Sequence, residues 1–390
     1  MKYISRTVWI LSLVSLFTDT ASEMLYPVMP IFLKSIGFSV LLIGILEGMA
    51  EATAGFSKGY FGKMSDLSSK RLPFVQLGYS LSALSKPMMA LFTYPLWIFF
   101  SRSLDRLGKG IRTGARDAIL SEEATPETKA RIFGFHRSMD TLGAVIGPLF
   151  ALLYLYFYPA DYKNLFLIAL APGLVAILCT FLLKEKSSIK SLKSRPGFFS
   201  YLNYWKTAPK DYRRLVIGLL FFALFNSSDV FLLLKAKESG LDDVQVIGVY
   251  IFYNLVYSIF AYPIGILADK AGIKKTLIFG ILVFAAVYAG ISFASASYQF
   301  YLLFLLYGLY AAATEGISKA WITNISDKKD TATAIGFYSS FQSIAALFAS
   351  SLCGLLWFYG GSTIAFLITS VAAILSAIYL IINTLQTKKG

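Results

Sequence analysis

Apolar segments about 20 residues long recur along the whole chain, and they limit its possible folds more than any other feature. Each is long enough to cross a hydrocarbon core about 30 Å thick. Twelve of them lie at roughly 6–33, 40–62, 73–92, 95–114, 133–157, 164–183, 214–234, 245–267, 276–294, 299–321, 334–358 and 362–384. Only 15% of the residues are charged, against about 25% in soluble domains. We therefore predict an all-α membrane protein with twelve transmembrane helices.

The formal net charge of +14 is distributed unevenly between the two sides of such a bundle. If the N-terminus is cytoplasmic, the outer loops contain four basic residues, Lys34, Lys163, Lys235 and Lys237. Most of the others fall in inner loops and tails, as the positive-inside rule requires. This predicts a plasma-membrane (bacterial inner-membrane) protein with both termini in the cytoplasm. The lipid bilayer then explains the charge, and no nucleic-acid partner is expected.

A basic central segment, 184–214, divides the chain into two halves of six segments, 1–183 and 215–390. The halves resemble each other in sequence. Two pairs of residues lie at the same offset of 203 positions: Gly62 with Gly265, and Asp66 with Asp269. Repeated halves are typical of secondary transporters, whose substrate path lies where the repeats meet. We predict two pseudo-symmetric six-helix bundles, joined by a cytoplasmic linker, in a monomer.

The segment after each second helix resembles a motif of the Major Facilitator Superfamily, Gly-x-x-x-Asp-Arg-x-Gly-Arg-Arg. The second half matches it at Gly265, Asp269, Lys270, Gly272, Lys274 and Lys275. The first half matches it at Gly62, Asp66, Lys70 and Arg71, and departs from it at Leu67 and Ser69. The resemblance implies alternating access of a central cavity. It also implies a cytoplasmic gate formed by Asp66, Arg71, Asp269, Lys270 and the loop near Arg112.

Two further stretches resemble motifs of the same family. Arg102 and Gly108 fit its fourth-helix pattern, Arg-x-x-Gln-Gly-x-Gly, with Asp105 and Arg106 in place of Gln and Gly. In the fifth helix, GAVIGPLFA resembles the Gly-x-x-x-Gly-Pro motif that is frequent in exporters. Its residues are Gly143, Gly147 and Pro148. The alternative interpretation of this motif is close packing of small residues beside a proline kink.

Acidic residues in the first two helices form a concentrated charged region. Asp19 and Glu23 are spaced i, i+4, as are Glu47 and Glu51, so each pair shares a helix face. Counting along the antiparallel helices puts Asp19 level with Glu51. Four nearby carboxylates cannot all be ionised cheaply, so some are expected to carry protons. We predict Asp19 as the proton carrier and Glu51 as the second candidate.

The resemblance implies that helices 1, 4, 7 and 10 line the cavity, and this suggests roles for the other intramembrane charges. A charge in lipid is costly unless it is paired or faces a cavity. The predicted substrate and proton site comprises Asp19, Glu23, Glu51, Arg102, Asp105, Arg106, Asp229 and Glu315. Structural roles are predicted for Glu47, Lys86, Asp140 and His136. Asn226 and Tyr307 are candidate polar contacts.

The predicted function is proton-coupled export of a small organic, cationic or amphipathic solute. Acids outnumber bases at membrane level, and aromatic residues favour cations through cation–π contact. The alternative is proton-symport import of a siderophore, sugar or organic acid, since Arg102 could clamp a carboxylate. Sodium is the alternative coupling ion. A membrane-embedded enzyme or sensor is a remote third possibility. The sequence has no Walker A motif and no His/Cys cluster, so neither a cofactor nor a metal site is expected.

Overall fold

The computed structural model describes residues 4–26, 28–68, 70–185 and 196–383, except for the side chains of residues 30, 31, 40, 41, 43–45, 47 and 243. The side chain of Glu47 and residues 186–195 of the predicted linker therefore lie outside the described part. All regular secondary structure in the described residues is helical.

Eight helices form the first half of the described chain. They are α1 (Arg6–Glu23), α2 (Met29–Ser35), α3 (Val40–Leu67), α4 (Leu72–Leu91), α5 (Pro95–Glu122), α6 (Lys129–Phe157), α7 (Tyr162–Ile168) and α8 (Leu170–Thr180).

The second half begins after a 3₁₀ turn at Ser200–Asn203. Its helices are α9 (Tyr204–Thr207), α10 (Lys210–Ala223), α11 (Val230–Glu238), α12 (Asp243–Ala271), α13 (Ile273–Phe293), α14 (Ser297–Ile325) and α15 (Thr331–Asn383).

These helices account for the twelve predicted spans, but several spans are not single straight helices. The first span is broken between α1 and α2, and Pro30, in the first turn of α2, has no backbone N–H to donate. The seventh is broken between α10 and α11. Helix α15 contains two spans, separated at Gly361, whose φ of 80° suits glycine because it has no Cβ.

Six helical segments in the described residues are long and apolar enough to cross a membrane by length and composition alone. They are Lys129–Phe157, Tyr162–Thr180, Val244–Ala271, Ile273–Phe293, Ser297–Ile325 and Lys328–Asn383. The last of them is long enough for two spans. The predicted spans that fail this criterion contain charged residues, as α5 does, or are broken into shorter helices, as α10 and α11 are.

The fourth span shows the clearest difference from its predicted bounds, since α5 continues from 114 to Glu122. The sequence suggested a basic loop there. Instead, Arg112 and Asp117 are buried, and Arg116 pairs with Asp117 at 2.8 Å. Because these charges are satisfied against the protein, the helix can continue past the apolar part of its sequence.

Polar side chains cap several helix starts. The Ser39 hydroxyl accepts a hydrogen bond from the Leu42 amide of α3, and Asp242 forms a capping box with Gln245 at α12. Asp161, in the loop before α7, accepts hydrogen bonds from the Tyr154 hydroxyl and the Asn164 side-chain amide. These two donors lower the pKa of Asp161.

The packing divides the chain into two compact units that do not coincide with the sequence halves. Unit 1 consists of Met1–Glu123, Met139–Tyr204 and Asp327–Ser343. Unit 2 consists of Ala124–Ser138, Trp205–Ser326 and Ile344–Gly390. Helix α6 therefore begins in unit 2 and continues in unit 1, whereas α15 begins in unit 1 and continues in unit 2. Each unit is completed by the start of a helix from the other sequence half.

Candidate functional site

A cavity in unit 1 is lined by side chains of α1, α4 and α5 and of the residues just after α1. It encloses about 530 Å³, including the space at its mouth. Eight of its lining residues are charged: Asp19, Glu23, Lys86, Arg102, Asp105, Arg106, Lys109 and Arg112. The others are Ser22, Leu25, Tyr26 and Met89. Five bases against three acids give this cavity a positive balance when all of them are ionised.

Helix α5 supplies most of this charge from one face. Arg102, Arg106, Lys109 and Arg112 follow one another at spacings of four, three and three residues, which places them on the same side of a helix. Arg102 and Arg112 are buried, whereas Lys109 is exposed. Opposite them, α1 presents the carboxyl groups of Asp19 and Glu23.

Lys86 and Asp105 form an ion pair across α4 and α5. The Lys86 Nζ lies 3.1 Å from Asp105 Oδ1 and also donates to the Ser82 carbonyl oxygen at 2.8 Å. The two helices approach closely because a glycine of each faces the other. A Cβ built on Gly78 would lie 2.6 Å from the Gly108 carbonyl oxygen. Lys86 was predicted to be structural and Asp105 to belong to the site. The two residues form one ion pair that lines the cavity.

Arg112 is held firmly in place at the cavity. Its Nη1 donates to the Ser82 hydroxyl at 2.6 Å, and its guanidinium carbon lies 4.5 Å from the centroid of the Tyr79 ring. Its Nε is buried, with no hydrogen-bond partner among the described atoms. The sequence placed Arg112 in a cytoplasmic gate, whereas the structure places it among the cavity-lining residues.

Asp19 contacts a second carboxyl group behind the cavity wall. Its side chain is within hydrogen-bonding reach of Asp140 on α6, and Asp140 also accepts a hydrogen bond from the Ser15 hydroxyl. Gly143 and Gly147 let α6 approach α1, because a Cβ on either would meet an α1 carbonyl oxygen or a nearby amide.

The other predicted acids of the first half lie in different surroundings. Glu51 sits between two bases, 4.0 Å from Lys58 and 3.9 Å from Arg106. Lys58 is buried and also donates to the Ser343 hydroxyl of α15 at 2.7 Å. Pro148 lies inside α6, and Gly62 faces the Ala332 carbonyl oxygen at the start of α15.

Unit 2 contains the remaining predicted site residues. The Tyr307 hydroxyl donates to Asp229 at 2.6 Å, and the Asn226 side chain donates to the Tyr310 hydroxyl at 2.9 Å. Asp229 immediately precedes α11, at a helix break of the kind that forms polar sites in transporters. A third pair in this unit joins Arg137 to Glu315 at 3.1 Å. His136, which precedes Arg137 in the sequence, is buried.

The two motif aspartates make equivalent contacts. Asp66 accepts hydrogen bonds from the amides of Ala332 and Thr333, at 3.2 and 2.6 Å, and from Arg71 at 2.9 Å. These amides belong to the first turn of α15, whose unpaired N–H groups and helix dipole favour a carboxylate.

Asp269 repeats this arrangement in unit 2. It accepts hydrogen bonds from the amides of Ala130 and Arg131 in the first turn of α6, at 3.0 and 3.2 Å. The Arg131 side chain pairs with it at 2.6 Å. Gly265 faces the Ala130 carbonyl oxygen, and Lys270 is exposed in the last turn of α12.

The structure thus brings together Asp19, Glu23, Arg102, Asp105 and Arg106 in one cavity, and it places Asp229 and Glu315 in the other unit. Sequence reasoning missed Lys109, although its spacing of three residues from Arg106 was a signal. No group of three or more His, Cys, Asp or Glu side chains that could hold a metal ion occurs in the searched, described residues.

An all-helical membrane fold in two repeated halves with a charged cavity is typical of secondary transporters. The family model described as Major Facilitator Superfamily matches residues 11–252 and 215–389. The chain belongs to this family, which confirms the resemblance and the fold predicted from the sequence. The family and its solved members are transporters, in agreement with the prediction that the chain is not an enzyme.

Individual relatives extend over most of the chain. An uncharacterized MFS-type transporter of Methanocaldococcus jannaschii is 33% identical over 388 residues, covering 97% of this chain and 95% of the relative. Multidrug resistance protein 2 of Bacillus subtilis is 22% identical, covering 90% and 89%. The structure of the Escherichia coli fucose:proton symporter matches with a TM-score of 0.76 at 13% identity, covering 98% of this chain and 100% of the other.

Proposed function

We propose that this transporter couples the movement of a small organic solute to protons, and that Asp19 is the proton-binding residue. The observation that carries the proposal is the position of Asp19, which faces the cavity and contacts Asp140. Two carboxyl groups at hydrogen-bonding distance cannot both be ionised cheaply, so the pair is suited to sharing a proton.

Proton movement can supply the energy. Moving one charge through 100 mV is worth about 2.3 kcal/mol. Sodium, the alternative coupling ion, prefers oxygen ligands, but the carboxylates of this cavity face an excess of bases. The name of the structurally similar fucose:proton symporter is consistent with proton coupling, although that likeness itself concerns the fold.

The charge of the cavity favours uptake by proton symport. A proton bound at Asp19 raises the net charge of the cavity by one, which favours an anionic solute beside the α5 bases. By linkage, the anion then favours the proton to the same extent. Ligands that help each other to bind cross the membrane together, so this geometry supports the importer that the sequence left as its alternative.

Export of a cationic or amphipathic solute is the second candidate function. It is favoured by the name of the Bacillus subtilis relative and by the Gly-x-x-x-Gly-Pro motif of α6. A cation competes with a proton for a carboxylate, and such competition produces exchange. Asp229, hydrogen-bonded to Tyr307 near other aromatic rings, is the group in unit 2 that suits a cation.

The test uses proteoliposomes of known protein orientation, with a pH-sensitive dye in the lumen and inward gradients of candidate carboxylates, sugars and organic cations. Symport acidifies the lumen, whereas exchange makes it alkaline. Asp19→Asn should abolish the solute-driven pH change. Glu51→Gln tests the second candidate for the proton carrier and should retain the pH change, because Glu51 is held between two bases. Full coupling in Asp19→Asn would contradict the assignment of the proton to Asp19. Loss of coupling only in Glu51→Gln would contradict it as well.

A further inference from the structure

We infer that the solute carries an anionic group, a carboxylate, sulfonate or phosphate, and that the basic face of α5 binds it through Lys109 and Arg112. This inference rests on the proposed function, because it names the substrate class of the same cavity.

Arg112 provides the first line of evidence, because it is a charged donor that is held in place at the cavity. Only 5% of the residue is exposed, and the Ser82 hydroxyl and the Tyr79 ring fix its guanidinium group. Its buried Nε lacks a hydrogen-bond partner in the described structure. Arg112 lines the cavity with its guanidinium group already held in place, so an acceptor that enters the cavity meets a preoriented charged donor.

The balance of charge provides the second line of evidence. Lys86 and Asp105 neutralise each other as an ion pair within the cavity wall. Beyond that pair, the lining contains four bases, all on α5, and the two acids of α1. Glu51, 3.9 Å from Arg106, offsets one of these bases, so the four bases still exceed the three acids. Lys109 is exposed at this lining, so a solute can reach its ammonium group without disturbing the packing.

The remaining lining specifies the rest of the solute. Leu25, Tyr26 and Met89 offer an apolar and aromatic surface for an organic body. A planar guanidinium group binds carboxylate and phosphate oxygens with directed hydrogen bonds, whereas an ammonium group acts as a point charge. The site therefore fits an amphipathic organic anion.

The experiment measures binding to the purified full chain in detergent, by thermal unfolding, with five probes that share one ring. Benzoate, benzenesulfonate and phenyl phosphate are the anions, benzylamine is the cation and benzyl alcohol is the neutral probe. We expect the anions to raise the unfolding temperature of the wild-type protein. Lys109→Gln and Arg112→Gln should each weaken anion binding about tenfold or more, as expected for loss of a charged hydrogen bond.

Two controls keep the result specific. Lys70→Gln removes an exposed lysine away from the cavity and should leave anion binding unchanged. Arg112→Lys retains the charge and should preserve part of the binding, which separates loss of the anion site from a folding defect. A response confined to benzylamine overturns the inference, as does an anion response that survives both Gln substitutions or no response to any anion up to its solubility limit.

The outcome is distinguishable from failure of the proposed proton coupling. Asp19→Asn removes the proton site but retains the α5 bases, so it should still bind the anions. Anion binding without solute-driven proton flux would contradict the coupling alone. Proton flux driven only by cations or neutral solutes would contradict the anion site alone.

Discussion

At the scale of single residues, Asp66 and Asp269 show how one side chain can organise a helix start. Each is a carboxylate whose oxygens accept two backbone N–H groups from the first turn of a helix in the other sequence half. The resemblance implied a gating role, and the geometry supplies a physical means for it. We propose that these two caps hold the cytoplasmic ends of α15 and α6.

Replacing either aspartate should loosen only the helix that it caps. Asp66→Ala removes the acceptor of the Ala332 and Thr333 amides, which should cost about 1 kcal/mol of helix stability or more. Hydrogen exchange followed by mass spectrometry should then show faster exchange in the first turn of α15. Asp269→Ala should instead accelerate exchange at Ala130 and Arg131. Equal effects of both variants on both helices would contradict independent capping.

At the scale of helices, two glycines allow α5 to pack closely against α4, and this close packing positions the charged side chains of α5. Gly108 of α5 and Gly78 of α4 each face the other's carbonyl oxygen, and a Cβ on Gly108 would lie 2.5 Å from the Gly78 oxygen. Small residues permit this backbone approach, which is a main source of helix association in membranes. The Lys86–Asp105 pair and the Ser82–Arg112 hydrogen bond span the same contact.

Gly108→Ala should therefore destabilise the protein, although alanine is the better helix former. The added methyl group must push α4 and α5 apart, at a cost of about 1–3 kcal/mol. Thermal unfolding in detergent measures the change, and anion binding should weaken with it. Gly48→Ala is the matched control, because no described atom lies within 4 Å of a Cβ at that position of α3. That variant should be equally stable or slightly more stable. An unaltered unfolding temperature for Gly108→Ala would contradict the close contact.

At the scale of the whole molecule, charge determines the orientation in the membrane. We propose that both termini and the segment 184–214 are cytoplasmic, since the loops predicted to face outward contain only four lysines. Part of this segment is described: Tyr201 is buried against α3, and Lys63 donates to the Ser200 carbonyl oxygen at 2.8 Å.

Single cysteines introduced into this segment test the orientation. In a Cys179→Ala, Cys353→Ala background, a cysteine at Ser188 should react with a membrane-impermeant maleimide only after the cells are opened. A cysteine at Lys163, in a loop predicted to face outward, should react in intact cells. The reverse pattern of labelling would invert the topology.

Much of the architecture follows from sequence-local physics. A segment of about 20 apolar residues must form a helix in lipid, because no water is available to its backbone groups. The number of spans was therefore predictable, the offset of 203 residues between the motifs predicted the two halves, and the resemblance of those motifs to known ones predicted the family. The family comparison and the solved neighbours confirm this fold. The i, i+4 spacing likewise placed Asp19 and Glu23 on one face without any tertiary information.

Only the tertiary structure decided which charges meet. Arg112 was predicted to lie in a cytoplasmic loop, because an apolar pattern cannot show that α5 continues along charged side chains that the protein satisfies. Asp140 was predicted to be a structural acid, and the approach of α6 at Gly143 puts it beside Asp19. The sequence shows where each charged residue lies along the chain, but packing between distant segments determines which residue it pairs with. The sequence therefore determined the bundle, and the packing determined the charge of its cavity.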